Sequence, residues 1–176
     1  VQRATHTVRQ LLALARSGAD MVDLSKGRHD LVDLVRERVA LAGGLAVRQQ
    51  VELELLAPER LDLWLNRESL CSMVDNLVDN AIKYSPAGGH VTVALEECAE
   101  ALVLSVSDQG SGIPRELRQR VFERFVRLQG APGHGSGLGL TIVERAAAQH
   151  GASVELLDGP DGRGLTVRVR FPRGEA

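Results

Sequence analysis

The sequence predicts an α+β fold: a two-layer sandwich with one mixed, mostly antiparallel sheet and helices packed on one face, preceded by a short N-terminal helix. Two patterns carry this. Helical and strand periodicities are interleaved, yet the strand pairs are spaced as hairpins and not as regular βαβ units. The apolar share is 44% with only five aromatic residues, so the core is aliphatic, built from Leu, Val, Ile and Ala.

Along the chain, residues 1–17 repeat apolar residues at helical spacing through Val8, Leu11, Leu12 and Ala15. Residues 19–29 read as a linker. Asp30 to Ala42 reads as an amphipathic helix, with Leu31, Leu34, Val35, Val39 and Ala42 on one side and Arg36, Glu37 and Arg38 on the other. Val51–Leu56 alternates Val and Leu with Glu, and Leu61–Leu65 is a short second strand leading into a long helix. A turn cluster at Pro86–Gly89 precedes two strands, Val91–Glu96 and Leu102–Ser107, expected as a hairpin. A helix from about Arg115 to Glu123 is expected next. A Gly-rich stretch and a helix from Leu138 to Gln149, stopped at Gly151, come after it. Strands Val154–Leu157 and Leu165–Phe171, joined by DGPDGRG, close the chain.

Composition excludes several classes. A net charge of −2 with mixed signs makes no electrostatic case for nucleic acid. Cys71 and Cys98 lack metal-ligand spacing and suggest no disulfide framework, which fits a reducing compartment. No apolar run approaches the roughly 20 residues that span a bilayer, and no signal peptide is visible. The chain reads as a soluble piece of something longer. Lys occurs only at Lys26 and Lys83 amid abundant Arg, which draws attention to Lys83 as a compact point charge.

Four short segments carry chemistry. In NLVDNAIKYSP (76–86), Asn76, Asn80 and Lys83 fall within a narrow arc of a helix that turns ~100° per residue. Met73, Val74, Leu77, Val78 and Ala81 take the opposite side. Asn is a poor helix former, so two of them mid-helix favour a site over a solvated face. An amide oxygen is a suitable hard ligand for Mg²⁺. In DQGSGIP (108–114) a strand delivers Asp108 to a turn in which Gly110 and Gly112 permit close approach to a ligand; a carboxylate there accepts from an exocyclic amine. FERFVR (122–127) precedes GHGSGLGL (133–140), which is neither a P-loop nor a Rossmann fingerprint. Its glycines allow backbone N–H groups to turn toward phosphate, and the following helix adds its positive end.

Together, in this order, the segments resemble the N, G1, F and G2 boxes of the catalytic ATP-binding domain of sensor histidine kinases, in the GHKL superfamily with its Bergerat fold. The resemblance runs from about residue 30 to 172. It implies a domain over 30–176, with residues 1–18 as the end of the second helix of the dimerisation hairpin. It implies ATP and Mg²⁺ as cofactors. Asn80 is then the metal ligand, Asn76 supports the site, Lys83 reaches the phosphates, and Tyr84 lines the rim. Asp108 takes the adenine amino group, with Gly110, Gly112 and Ile113 around it. Gly135, Ser136, Gly137, Leu138, Gly139 and Leu140 line the phosphate side, and Arg127 is the lid arginine. Phe122 and Phe125 anchor the lid by packing.

Related ATPases place a Glu near the first Asn to activate water. Asn76 is no general base, and Asp75 lies ~100° round the helix, so the site is expected to hold ATP for transfer to another nucleophile. The implied reaction is γ-phosphoryl transfer to a histidine of the hairpin, in cis or in trans, for relay to a response regulator receiver domain. His6, followed by Thr7, is a poor phosphoacceptor, so this chain alone is not expected to phosphorylate itself. His29, His90, His134 and His150 read as surface or turn residues. The family usually closes with Gly-x-Gly-Thr; GRGLT puts Leu165 where Thr is expected, leaving any hydroxyl contact from Thr166 in question. The resemblance also implies a cytoplasmic domain of a bacterial inner-membrane sensor, dimeric as the full protein and monomeric as this fragment. The rival readings are an anti-sigma-factor-type serine kinase of the same fold and a degenerate non-catalytic module.

Overall fold

The computed structural model describes residues 26–123 and 138–173. The elements run β1 (Lys26–Asp30), α1 (Leu31–Gln49), β2 (Glu52–Leu56), β3 (Asp62–Asn66), α2 (Arg67–Tyr84), β4 (His90–Glu97), β5 (Ala101–Ser107), α3 (Gly139–Gln149), β6 (Ser153–Asp158) and β7 (Leu165–Pro172). The hairpin helix expected over 1–18 lies outside the described residues.

Five strands form one sheet in the order β2-β4-β5-β7-β6. Only β2 and β4 are parallel; the β4–β5, β5–β7 and β6–β7 pairs are antiparallel. Strand alternation sends Val91, Val93 and Leu95 of β4, Leu102, Leu104 and Val106 of β5, and Val167, Val169 and Phe171 of β7 into one core. Leu70, Met73, Val74, Leu77 and Ala81 of α2 meet them there, with Val143, Ala146 and Ala147 of α3. The expected sandwich is therefore present, with a largely aliphatic interior in which Phe171 is the one fully buried aromatic among the described residues.

Three elements differ from the sequence reading. Lys26–Asp30, within the stretch read as linker, is a strand that pairs antiparallel with β3, so Leu61–Leu65 belongs to a separate two-stranded sheet. KGRHD has no apolar alternation, and its strand rests on backbone pairing. Asp30 then closes the corner: its Oδ1 accepts from Val32 N, capping α1, and from Leu61 N.

The helix begun at Asp30 does not stop at Ala42 but runs through Gly43 and Gly44 to Gln49. Leu45 packs on the core and Ala46 is buried, continuing the stripe of Leu31 and Val35. That burial offsets the roughly 1 kcal/mol each glycine costs in a helix interior. Gln50, at φ 55°, ends it in the left-handed conformation.

Finally, the single helix expected over Arg115–Glu123 is two short 3₁₀ turns, Arg115–Leu117 and Arg120–Phe122. Neither buries an apolar stripe; Val121 alone is buried. Without such a face a segment of this length has little to hold a full α-helix together. The stop at Gly151 is as expected: Gly151 N–H donates to Ala148 O and Ala152 N–H to Ala147 O, the paired bonds of a Schellman end.

Candidate nucleotide site

The polar face of α2 is built from its N-terminus. Asn66 caps the helix by accepting from Ser69 N at 2.8 Å, and its own N–H donates to His150 Nε2 at 3.1 Å. Ser69 Oγ donates to Gln149 Oε1 at 2.6 Å. The start of α2 is thus tied to the end of α3, which sets the two helices side by side. His150 stands in the turn that ends α3, as one of the two expected placements had it, but is half-buried in this latch. Its Nδ1 lies 2.7 Å from Ala146 O, so Nδ1 carries the proton and Nε2 accepts. Burial holds its pKa below the ordinary histidine value.

On the same face, Asn76 is buried and its Nδ2 donates to Ser72 O at 2.7 Å. Asn80 lies one turn on, half-buried. The first residue of α3, Gly139, sits against both. A Cβ added there would lie 2.9 Å from Asn80 Nδ2 and 3.5 Å from Asn76 Oδ1, so only a residue without a side chain fits undisturbed. The first turn of α3 has no side-chain cap, and its positive end points into this cluster. Lys83 is exposed, paired with Asp79 at 3.3 Å.

Asp75 faces elsewhere. Arg38 grips it in a fork, Nε to Oδ1 at 2.7 Å and Nη2 to Oδ2 at 2.9 Å. A carboxylate held by an arginine on both oxygens is a poor base, and its position on the α1 side agrees with setting it aside as one.

The second half of the site is a backbone construction at the end of β5. Asp108 is 6% exposed, and Oδ1 accepts from Gly110 N at 2.8 Å and Leu165 N at 3.2 Å. Among the described residues no bond is made to Oδ2. Burial pushes the Asp108 carboxyl above the ordinary carboxylate range, against the pull of those two donors. The G1 turn packs on the turn between β6 and β7 with nothing between them. Gly112, at φ 69°, is so close to Gly164 that a Cβ would lie 2.7 Å from the Gly164 carbonyl oxygen. Gly110 is pressed against the Tyr84 carbonyl, which joins this turn to the end of α2. An open recess of about 340 Å³ borders it, lined by Gly110–Pro114, Asp158 and Gly162–Gly164.

The Leu165 departure has a structural answer. Leu165 is buried in the core and uses its backbone N–H, not a side chain, to brace Asp108. Thr166 points to the opposite face, where its hydroxyl bonds Ser107 Oγ at 2.8 Å.

The structure therefore brings Asn76, Asn80 and Gly139 together at one end, and Asp108, Gly110, Gly112 and Ile113 at the other, with Tyr84 between. Leu138 is buried and Leu140 packs on the core, so those two positions offer a ligand their backbone only. Phe122 packs against the core, and its carbonyl accepts from Thr141 Oγ1 at 2.8 Å. Arg127, Phe125, Gly135, Ser136, Gly137 and His134 lie outside the described residues. His29 and His90 are on strands, His90 bridging Glu52 and Glu54. Among the described residues no three His, Cys, Asp or Glu side chains are grouped to hold a metal. An amide donor set such as Asn80 with Asn76 suits a cation that takes most of its oxygens from phosphate and water. Sequence reasoning missed Arg118, one arginine among many, whose contacts only the fold creates.

The profile of the family described as histidine kinase-, DNA gyrase B-, and HSP90-like ATPases matches residues 65–175. The chain belongs to this family. Sensor protein kinase PmrB of Pseudomonas aeruginosa is 36% identical over 98% of the chain. A mycobacterial sensor histidine kinase structure, MprB, superposes with a TM-score of 0.73 at 30% identity, covering 84% of this chain and 97% of that one. Full-length ShkA, solved in complex with AMPPNP, gives a TM-score of 0.82 at 29% identity over 96% of this chain and 35% of its own. Within the ATPase family the chain is thus an ATP-binding catalytic domain of the sensor histidine kinase type. It spans about a third of the length of PmrB and of the other full-length relative MprB. No helix among the described residues is long and apolar enough to cross a membrane.

Proposed function

We propose that this domain holds Mg²⁺-ATP with the adenine against Asp108 and the phosphates over Asn80, Lys83 and the start of α3. It then passes the γ-phosphoryl to a histidine of a dimerisation hairpin in the same protein, in cis or in trans. The bond broken is that between the γ-phosphorus and the β–γ bridging oxygen; the bond formed is to an imidazole nitrogen, ADP leaves, and the imidazole proton passes to solvent. Catalysis of this kind is mostly positioning and charge neutralisation. Bound Mg²⁺ supplies part of that charge. Of the chain's own groups, Asn80 would hold the cation, Asn76 would buttress Asn80, Lys83 and Arg127 would neutralise phosphate charge, and the Asp108 carboxylate would select adenine by accepting from its amino group.

The observation that carries this reading is the meeting of α2 and α3 at Gly139. Two amides and a helix N-terminus converge where a phosphate chain would lie, while Asp108 waits at the other end beyond Tyr84. Among the described residues the carboxylates near Asn76 are engaged, Asp75 by Arg38 and Asp79 by Lys83, and this favours transfer over hydrolysis. The phosphoryl group would go on to an aspartate of a response regulator receiver domain, from a homodimeric sensor whose catalytic domain faces the cytoplasm.

Calorimetric titration with Mg²⁺-ADP and Mg²⁺-GDP tests the reading. Binding of ADP and not GDP is expected, followed by acid-labile label on a separately supplied hairpin incubated with the chain and radiolabelled ATP. Absence of ADP binding, or acid-stable label on serine, would overturn it.

A further inference from the structure

Arg118 caps the first 3₁₀ turn after the G1 turn, and its side chain is 16% exposed. Its guanidinium is used in three directions. Nε donates to Ile113 O at 3.0 Å, Nη1 donates to Leu156 O at 2.9 Å, and Nη2 donates to Asp158 Oδ1. The first acceptor is the end of the G1 turn; the other two are the end of β6. Asp158 is the register partner of Leu165 across β6–β7, and Leu165 N–H is one of the two donors that hold Asp108.

A closed circuit results, running from Asp108 through Gly110 and the G1 turn to Ile113, across Arg118 to Asp158, over to Leu165, and back to Asp108. The two turns in that circuit touch at Gly112 and Gly164 without any side chain between them. Such a contact has no interlocking shape to resist sliding, so the alignment of the turns depends on hydrogen bonds that span them. Two of the three bonds from Arg118 are to backbone carbonyls, which a lysine could not reproduce together with the third, because it lacks the planar fork.

We propose that Arg118 is a positioning residue for base recognition: it binds the G1 turn to the β6–β7 corner so that the Asp108 carboxylate is presented to the nucleotide in one fixed orientation. The inference rests on the assignment of Asp108 to adenine made above. Arg115 also pairs with Asp158, at 2.8 Å, but it is largely exposed, and among the described residues its guanidinium donates to no backbone of either turn. It is the control.

The test compares ADP with purine riboside 5′-diphosphate, which lacks the exocyclic amine, on the full chain. Calorimetry with Mg²⁺ present reads the affinity ratio of the two ligands for wild type, Arg118→Ala, Arg118→Lys, Asp158→Asn and Arg115→Ala. Wild type and Arg115→Ala are expected to prefer ADP equally. Arg118→Ala should lose about tenfold of that preference, Arg118→Lys most of it, and Asp158→Asn a smaller part. A residue that merely stabilises the fold would weaken both ligands together and leave the ratio unchanged. Should Arg118→Ala fail to fold, the Lys and Asn variants carry the comparison. A wild type that binds no ADP overturns the nucleotide site and the role of Arg118 with it. A wild type that prefers ADP, with every variant preserving the ratio, overturns the role of Arg118 alone.

Discussion

The two ends of the site are made of different material. At the base end, Asp108 is buried and its Oδ1 is held by two backbone N–H groups, inside turns packed too closely for side chains. At the end proposed for the phosphates, side chains join the start of α3, with Asn76 buried, Asn80 half-buried and Lys83 exposed. The end proposed for the base is preorganised: its carboxylate is buried, and among the described residues Oδ2 accepts no bond. At the proposed phosphate end Lys83 is exposed and already paired with Asp79. Under the proposed reading, discrimination between bases needs rigid geometry, whereas charge attraction tolerates movement, and the two ends suit those tasks.

Asp108→Asn should break the contrast most severely. The amide oxygen can still accept from Gly110 and Leu165, but an NH₂ now faces the adenine amine. ADP affinity is expected to fall by at least about a hundredfold. Stability should move the other way. Asp108 has its folded-state pKa raised, so its stabilising contribution is complete below the unfolded value of about 3.9 and is lost as pH rises through the folded value. At neutral pH the charged carboxylate therefore costs the fold, and the unliganded Asn variant should melt no lower than wild type. A lower melting temperature together with intact ADP binding would make Asp108 a structural residue.

Gly139→Ala sharpens the comparison from the phosphate end. The new Cβ would press on the Asn80 amide, a movable group, so the fold accommodates it, and Ala should favour the helix by about 0.5–1 kcal/mol. Mg²⁺-ATP affinity is expected to drop about tenfold while the melting temperature holds or rises. Unchanged affinity would place the phosphates away from the α2–α3 junction.

For Lys83→Ala, ADP affinity should fall about fivefold with adenosine affinity unaffected, as expected of a group that meets only phosphate. The exposed pair with Asp79 contributes about 0–1 kcal/mol, so the thermal melt should not shift measurably. An equal loss for adenosine would mean that Lys83 acts at the base.

The smallest effect lies outside both ends, in the latch between α2 and α3. His150 has its folded-state pKa lowered, so its contribution is present above the unfolded value of about 6.5 and is lost as pH falls below it. Protonation would put a proton on Nε2, which now accepts from Asn66 N–H. Comparing melts of wild type and His150→Asn at pH 7.5 and 5.5 isolates this from His90, whose pKa is raised by Glu54 and Glu52 and which acts with the opposite sign. The wild type should lose more stability over that interval than the variant. Equal losses would remove His150 as the origin.

Much of this was legible in the chain. Periodicity placed α2, α3 and the five strands of the main sheet, because in those segments one apolar face meets one core and the pattern is local. The segments around Asn80, Asp108 and Gly139 announced themselves because glycine and mid-helix asparagine are costly choices unless something must approach closely. Where the reading went astray, the cause lay elsewhere in the chain. Lys26–Asp30 is a strand because β3 offers it a backbone ladder, and α1 passes two glycines because Leu45 and Ala46 find the core beyond them. His150 is a latch because Asn66, 84 positions away, donates to it. By itself the sequence nominated the groups of the proposed site, since chemistry resides in residue types and their local spacing. Only the tertiary structure decided how those groups are held. That Leu165 braces Asp108 through its backbone, that Arg38 removes Asp75 from the site, and that Arg118 joins two turns are all contacts between distant segments, and no local pattern encodes them.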